Sequence, residues 1–153
     1  MQTGPQGRIV ALHVNPGHRE PMQPVTTAYF FAGEGIEGDR HKTPEENRQG
    51  YQVLLIDQET LDVIGLDAGA VRENVTTSGV DIASLEPGRR VALGDSAVVE
   101  VSKDCAPCSR MEELRPGLQE ALEDRRGKLA RVVHSGRVSA GAMVSLIETA
   151  DTP

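Results

Sequence analysis

Arg90-Val91-Ala92-Leu93-Gly94-Asp95-Ser96-Ala97-Val98-Val99-Glu100-Val101-Ser102 runs directly into Lys103-Asp104-Cys105-Ala106-Pro107-Cys108-Ser109-Arg110. Residues 90–93 and 97–102 are strand-like, and Gly94-Asp95 between them has the chemistry of a hairpin turn, so the stretch spells two antiparallel strands. A helix-like run begins near Ser109, which puts both cysteines of the chain, at Cys-x-x-Cys spacing, where a strand ends and a helix begins. The first N–H groups of a helix lack partners and its dipole is positive there, so negative charge is favoured. Cys108, nearer the helix start than Cys105, is expected to be a thiolate, with Lys103, Arg110 and Arg115 adding positive potential. A thiolate is the species that attacks electrophiles, carries sulfur or ligates a metal.

Outward from this stretch the chain keeps the same texture. Residues 2–7 read as a loose leader, residues 8–15 as a buried strand closed by Pro16-Gly17, and residues 25–32 as a second strand. Residues 33–42 mix glycines with charged side chains and read as neither helix nor strand. After a polar segment, 43–50, comes an apolar strand, 51–56. A short helix follows over 57–64, with Asp57 as N-cap and Gly65 at its end. Residues 71–79 read as a polar strand displaying its charged and amide side chains, with Ile82 and Leu85 anchoring the next loop. Leu114, Leu118 and Leu122 follow helical spacing interrupted by Pro116. Residues 129–134 and 143–147 read as strands of a last hairpin around loop 135–141. Seven or eight short strands against two modest helical regions predict a mainly β barrel or sandwich, not a βαβ fold.

Composition narrows the function. The 153 residues suit one domain, read as 1–153 with a core of about 8–148. With two Phe, two Tyr and no Trp, the core must be aliphatic. A formal charge of −7 repels polyanions, so nucleic acid is not an expected partner, although a local basic pocket remains compatible with that total. No window has the roughly 18 apolar residues of a membrane span, and the first residues lack an apolar signal core. Two closely spaced cysteines make no disulfide framework, which suits a reducing compartment; the expected location is the cytoplasm.

Several chemistries compete for Cys105 and Cys108. They could be small buried hydrophobes, or a thioredoxin-like redox pair lacking its βαβ context. A structural zinc site would need two further ligands, for which His41 and His134 are the candidates. The remaining reading is a reactive or metal-ligating thiolate. Arg40, His41, Arg48 and Arg72 would give this acidic chain one basic pocket for an anionic ligand, with Asn74, Thr76 and Thr77 as hydrogen-bonding groups. Against this, glycines in a loop are commonly only turn chemistry, and an arginine on a strand is commonly solvated. His134, inside an apolar run, reads as a satisfied core histidine.

Taken in order, Gly35-Ile36-Glu37-Gly38-Asp39-Arg40-His41, Arg72-Glu73-Asn74-Val75-Thr76-Thr77-Ser78-Gly79, Gly94-Asp95 and Cys105-Ala106-Pro107-Cys108 resemble the MOSC domain, the C-terminal domain family of molybdenum cofactor sulfurases. The likeness runs from about Arg8 to Glu148, and to the small stand-alone members. It implies a mostly β, barrel-like fold with a few short helices. It also implies an essential cysteine, matched by Cys108, that carries a persulfide or ligates molybdenum; Cys105 is matched in part of the family. Asp39, Arg40, His41, Arg72, Glu73, Asn74 and Thr77 fall at the family's motifs around a cleft for the molybdenum cofactor, molybdopterin. The implied activities are reduction of N-hydroxylated compounds, as a molybdenum-dependent oxidoreductase, or sulfur transfer. The alternatives are a sulfur or cofactor carrier without turnover and a zinc-stabilised interaction domain. Implied partners are the pterin or a small-molecule substrate, and a redox or sulfur-donor protein. The family's late Gly-Asp turn is Gly141-Ala142 here.

Overall fold

The structure, a computed structural model, describes residues 2–42, 52–106 and 109–147, the first five of these by backbone alone. Thr43 to Tyr51, Pro107, Cys108 and everything after Ile147 lie outside it; so do the polar segment 43–50, Arg48 and the first residue of the expected strand at 51. The hairpin of the opening stretch forms as its sequence dictates: β7 (Arg90–Leu93) and β8 (Ala97–Asp104) pair antiparallel, Leu93 opposite Ala97. The remaining strands are β1 (Gln2–Val14), β2 (Gln23–Val25), β3 (Thr27–Phe31), β4 (Gly35–Ile36), β5 (Val53–Asp57), β6 (Val75–Ser78), β9 (Lys128–His134), β10 (Gly136–Ser139) and β11 (Met143–Ile147).

Among the described residues, β11, β7, β8, β9, β5, β6 and β1 are neighbours in that order, and β11 also pairs with β1. The sheet is therefore a closed seven-stranded barrel, which leaves no open edge except where β2 adds to β1. A small second sheet, β10-β3-β4, packs Phe30 and Val138 into the barrel's core. That core is aliphatic, as composition requires: Ile9, Leu55, Val75, Val91, Val99 and Val132 are all buried.

Of the three α-helices among the described residues, α1 (Gln58–Ile64) keeps its predicted caps. Asp57 accepts from Thr60 N, and Gly65, at φ 86°, closes the helix in the left-handed region. It links β5 to β6, which run parallel, so one crossover unit sits inside an otherwise antiparallel barrel. The cysteines do not belong to that unit. Helices α2 (Ser109–Leu114) and α3 (Leu118–Ala121) break at Pro116 and pack Met111, Leu118 and Leu122 with Leu61 in a second cluster outside the barrel. Leu114, expected in the same stripe, is exposed. Among the described residues no helix is long and apolar enough to cross a membrane.

Four local expectations are corrected. The leader is the first half of β1 and pairs with β11 through Gln2, Gln6 and Gly7, backbone bonding that a polar, glycine-containing sequence hides from a hydropathy reading. The loop 135–141 contains β10, and β9 and β11 are not a hairpin, because each has other partners: β8 and β5 for β9, β7 and β1 for β11. The polar strand begins only at Val75, and its side chains are not displayed: Glu73, Asn74, Thr76 and Thr77 are buried. His134 is exposed at the end of β9, with Nδ1 3.0 Å from the Ser96 carbonyl.

Gly136 seats β10 directly on the β7–β8 hairpin. A Cβ there would stand 2.3 Å from Ser96 Oγ and 2.6 Å from Ala97 N, so backbone must move to admit it. Gly136→Ala is expected to cost about 1–3 kcal/mol, the usual range for overpacking. Thermal unfolding should show this as a fall of about 2–4 °C per kcal/mol, and an unchanged melting temperature would refute the close approach.

Candidate functional site

One end of the barrel carries a knot of buried polar groups, and its centre is Asn74. The Asn74 Oδ1 accepts from Leu54 N at 2.9 Å, while Nδ2 donates to the His13 carbonyl at 3.1 Å and to Asp39 Oδ1 at 3.0 Å. One amide thus ties together β1, β5 and the loop after β4 just before β6 begins. Asp39 extends the knot: its Oδ1 also accepts from Asn15 N at 2.7 Å, and its Oδ2 accepts from His41 N at 3.0 Å and meets His41 Nδ1 at 3.1 Å. Burial alone would raise the Asp39 pKa, but the hydrogen bonds from His41 and Asn15 outweigh it and hold the carboxyl below its ordinary value.

Behind the same corner, Glu73 is fully buried. Its Oε2 accepts from Gly69 N and Thr76 Oγ1, both at 2.7 Å, and its Oε1 has no partner. Thr77 is also buried, with an unpartnered Oγ1. These two side chains stand behind the cleft wall; Arg72, Asn74, Arg40 and His41 line the cleft itself.

The cleft has a volume of about 370 Å³, within the usual range for small-molecule sites. Arg40, Arg72, Arg110 and Arg126 converge on it together with His18 and His41. Among the described residues none of the four arginines is within ion-pairing distance of a carboxylate. Arg72 has φ 65°, a strained conformation for a residue with a side chain, and its Nη2 donates to Asn15 Oδ1 at 3.1 Å. Its pKa is lowered by burial first, then by the charges of Arg110 and Arg40, with Asp39 opposing them. The expected pairing of Arg40 with Arg72 in one pocket is thus met in space. Apolar floor comes from Val53, Leu54 and Leu129.

Cys105 lines the same cleft as a half-buried thiol. Its backbone N donates to the Gly127 carbonyl at 2.9 Å, the last rung of the β8–β9 ladder. Arg110, two residues past Cys108, lines the cleft from α2. Cys108 and Arg48 lie outside the described residues. His134 pairs opposite Val98, seven residues along β8 from Cys105, hence on the order of 23 Å away at about 3.3 Å per residue. It cannot share a metal ion with Cys105, which removes the ligand set on which the zinc reading rested. Among the described residues no three His, Cys, Asp or Glu side chains cluster as metal ligands.

Sequence reasoning missed Asn15, His18, Gln52 and Arg126 and valued Arg110 only for its charge. Asn15 and Gln52 carried no pattern beyond the ends of apolar runs. Arg126 had one weak signal, a charged residue immediately before Gly127 and a strand start.

The fold and this site together define a small MOSC-type barrel. A family model for the MOSC domain matches residues 44–145, and the chain belongs to that family, which is associated with molybdenum cofactor sulfurase-like proteins. Solved structures agree on the fold. The YUAD protein from Bacillus subtilis superposes with a TM-score of 0.73 at 19% identity, covering 95% of this chain and 98% of that one. YiiM from Geobacillus stearothermophilus gives 0.73 at 20% identity, covering 95% and 77%, and YiiM from Escherichia coli gives 0.68 at 18%, covering 92% and 70%. No curated protein matches the chain in sequence.

The Asp39 knot makes an acid-dependence prediction. A carboxyl with a lowered folded-state pKa contributes stability above its unfolded value, near 3.8, and loses that contribution as pH falls through the folded value. Asp39→Asn is expected to destabilise at pH 7 by about 1–3 kcal/mol. The difference from wild type should shrink below about pH 4 in urea titrations; a pH-independent difference would refute ionised Asp39 as the acceptor.

Proposed function

We propose that the cleft receives the anionic, phosphate-bearing end of the molybdenum cofactor in its pterin form, and that Cys108 works beside it as a thiolate. The observation that carries this reading is the convergence on one cleft, which also contains Cys105, of four arginines that have no carboxylate partner among the described residues. The donor set suits the group. Arginines offer forked N–H donors to phosphate oxygens, and soft thiolate sulfur suits molybdenum or a sulfur adduct. In this reading Arg40, His41 and Arg72 face the ligand. Asn74 lines the cleft beside them, and Asp39, Glu73 and Thr77, outside the lining, serve as positioning residues. When bound, the cofactor would supply two-electron redox chemistry suited to reducing an N–OH compound to N–H with release of water.

The chain's own contribution is orientation and charge. Arg72 is strained and crowded by Arg40 and Arg110, so a bound anion relieves repulsion already present in the protein. Cys108 is flanked in the chain by Cys105 and Arg110, both on the cleft, and nearby cations favour the thiolate over the thiol. A sulfur carrier without turnover is the second reading. The half-buried Cys105 thiol favours it, since a neighbouring thiol can release sulfur from a Cys108 persulfide while forming a disulfide only transiently.

Protein made in a host competent for molybdopterin synthesis separates these readings. Molybdenum and pterin retained with the chain, lost in Cys108→Ser but kept in Cys105→Ser, are expected for the first. A mass increment of one sulfur atom on Cys108 without molybdenum marks the second. Arg72→Ala should reduce retained pterin at least tenfold, about 1.4 kcal/mol. Full retention in Arg72→Ala, or rapid alkylation surviving in Cys108→Ser but not in Cys105→Ser, would overturn the assignment.

A further inference from the structure

We propose that Arg126 forms a buried oxyanion subsite of the cleft that Arg40, Arg72 and Arg110 also line, and that it takes a tetrahedral dianion of the phosphate or sulfate type. Arg126 stands between α3 and β9 and is only 6% exposed. Its Nε and Nη1 are sealed from solvent and meet no acceptor, yet the side chain lines the cleft. Lys128, two residues on and equally buried, shows what a structural cation looks like here: its Nζ is paired with Asp104. A buried guanidinium cannot shed its charge, so leaving its N–H groups unpaired is costly, and among the described residues the fold offers Nε and Nη1 no acceptor.

The backbone around it is fixed. The Gly127 carbonyl accepts from Cys105 N, and Gly127, at φ 117°, lies so close to β5 that a Cβ would stand 2.6 Å from the Leu55 carbonyl. Arg126 therefore cannot swing out to solvent by moving its own chain segment. Val53, Leu54 and Leu129, which line the cleft with it, offer no side-chain acceptor, and neither Nε nor Nη1 is reached by the polar side chains that line it. Turned by its own side-chain torsions into the cleft it lines, the guanidinium would meet a ligand there, and a planar fork of donors matches two oxygens of a tetrahedral anion. The bond from Cys105 N to the Gly127 carbonyl places this subsite beside the thiol segment. The inference rests on the cleft being an anion site, and on neither molybdenum nor Cys108.

The test uses the full chain with inorganic phosphate and with sulfate as probes, ionic strength being held constant with chloride. Wild type, Arg126→Met and Arg126→Lys are compared for melting temperature and, by calorimetric titration, for dissociation constant. The expected result is that phosphate or sulfate stabilises wild type and that both variants bind at least tenfold more weakly. In chloride alone, Arg126→Met should melt at or above the wild-type temperature, because an uncompensated buried charge has been removed. The proposal fails if wild type binds neither anion, or if either variant binds within tenfold of wild type. It also fails if Arg126→Met loses as much stability in chloride as in phosphate, the mark of a purely structural arginine. Binding lost in Arg72→Ala but kept in both Arg126 variants would sink the buried subsite and leave the reading of the cleft standing. Lost cofactor retention with intact phosphate binding would do the reverse.

Discussion

The contact on which the cleft depends is the amide of Asn74. Three backbone strands meet beside it with their ladders incomplete, because β5 runs parallel to β6 while β1 runs antiparallel to it. An apolar side chain there would leave the Leu54 N–H, the His13 carbonyl and Asp39 Oδ1 without their bonds to this side chain, and each unmet buried group costs on the order of 1–3 kcal/mol. Asn is the short side chain that both donates twice and accepts, so it closes all three bonds at once. Through Asp39 the same knot fixes Asn15, and Asn15 Oδ1 receives Arg72. The position of Arg72 on the cleft is therefore set by this internal knot.

This arrangement explains how a chain of net charge −7 can present a basic cleft. Two carboxylates of this corner are turned inward: Asp39 accepts from three N–H donors and meets His41 Nδ1, and Glu73 accepts from Gly69 N and Thr76. Their charges are spent on holding backbone, and the arginines are left facing a partly desolvated space, where an anion is attracted more strongly than at an open surface. Arg72, held at φ 65°, immediately precedes the buried Glu73 and Asn74.

Legibility in the sequence followed the kind of force involved. Hairpin β7–β8, the caps of α1 and the aliphatic core were readable because turn chemistry, N-caps and hydropathy are local signals. The first half of β1 and all of β10 were not, since they are held by backbone pairing to distant strands while their side chains remain polar or small. The motif Arg72 to Gly79 was recognised as special, but for the wrong physical reason. Polar residues on a strand were read as display, whereas Glu73, Asn74, Thr76 and Thr77 are buried at the barrel's end. Only a partner list, not a pattern, distinguishes a solvated polar strand from an internal hydrogen-bond knot. Arg126 was invisible for the same reason: its interest lies in the acceptor it lacks.

The two ends of β8 show why the barrel and the site can vary separately. At the hairpin end, Gly136 packs within van der Waals contact of Ser96 and Ala97, and this end is closed by side-chain and backbone contact. At the other end the β8–β9 register shifts between Val101 and Lys103, and the ladder finishes on the single bond from Cys105 N to the Gly127 carbonyl. Among the described residues the β8–β9 ladder has no rung beyond it. A barrel shared at 18–20% identity with YUAD and YiiM carries information about its closed wall and little about what its open end binds. That second property has to be read from the unpaired cations and the thiol themselves.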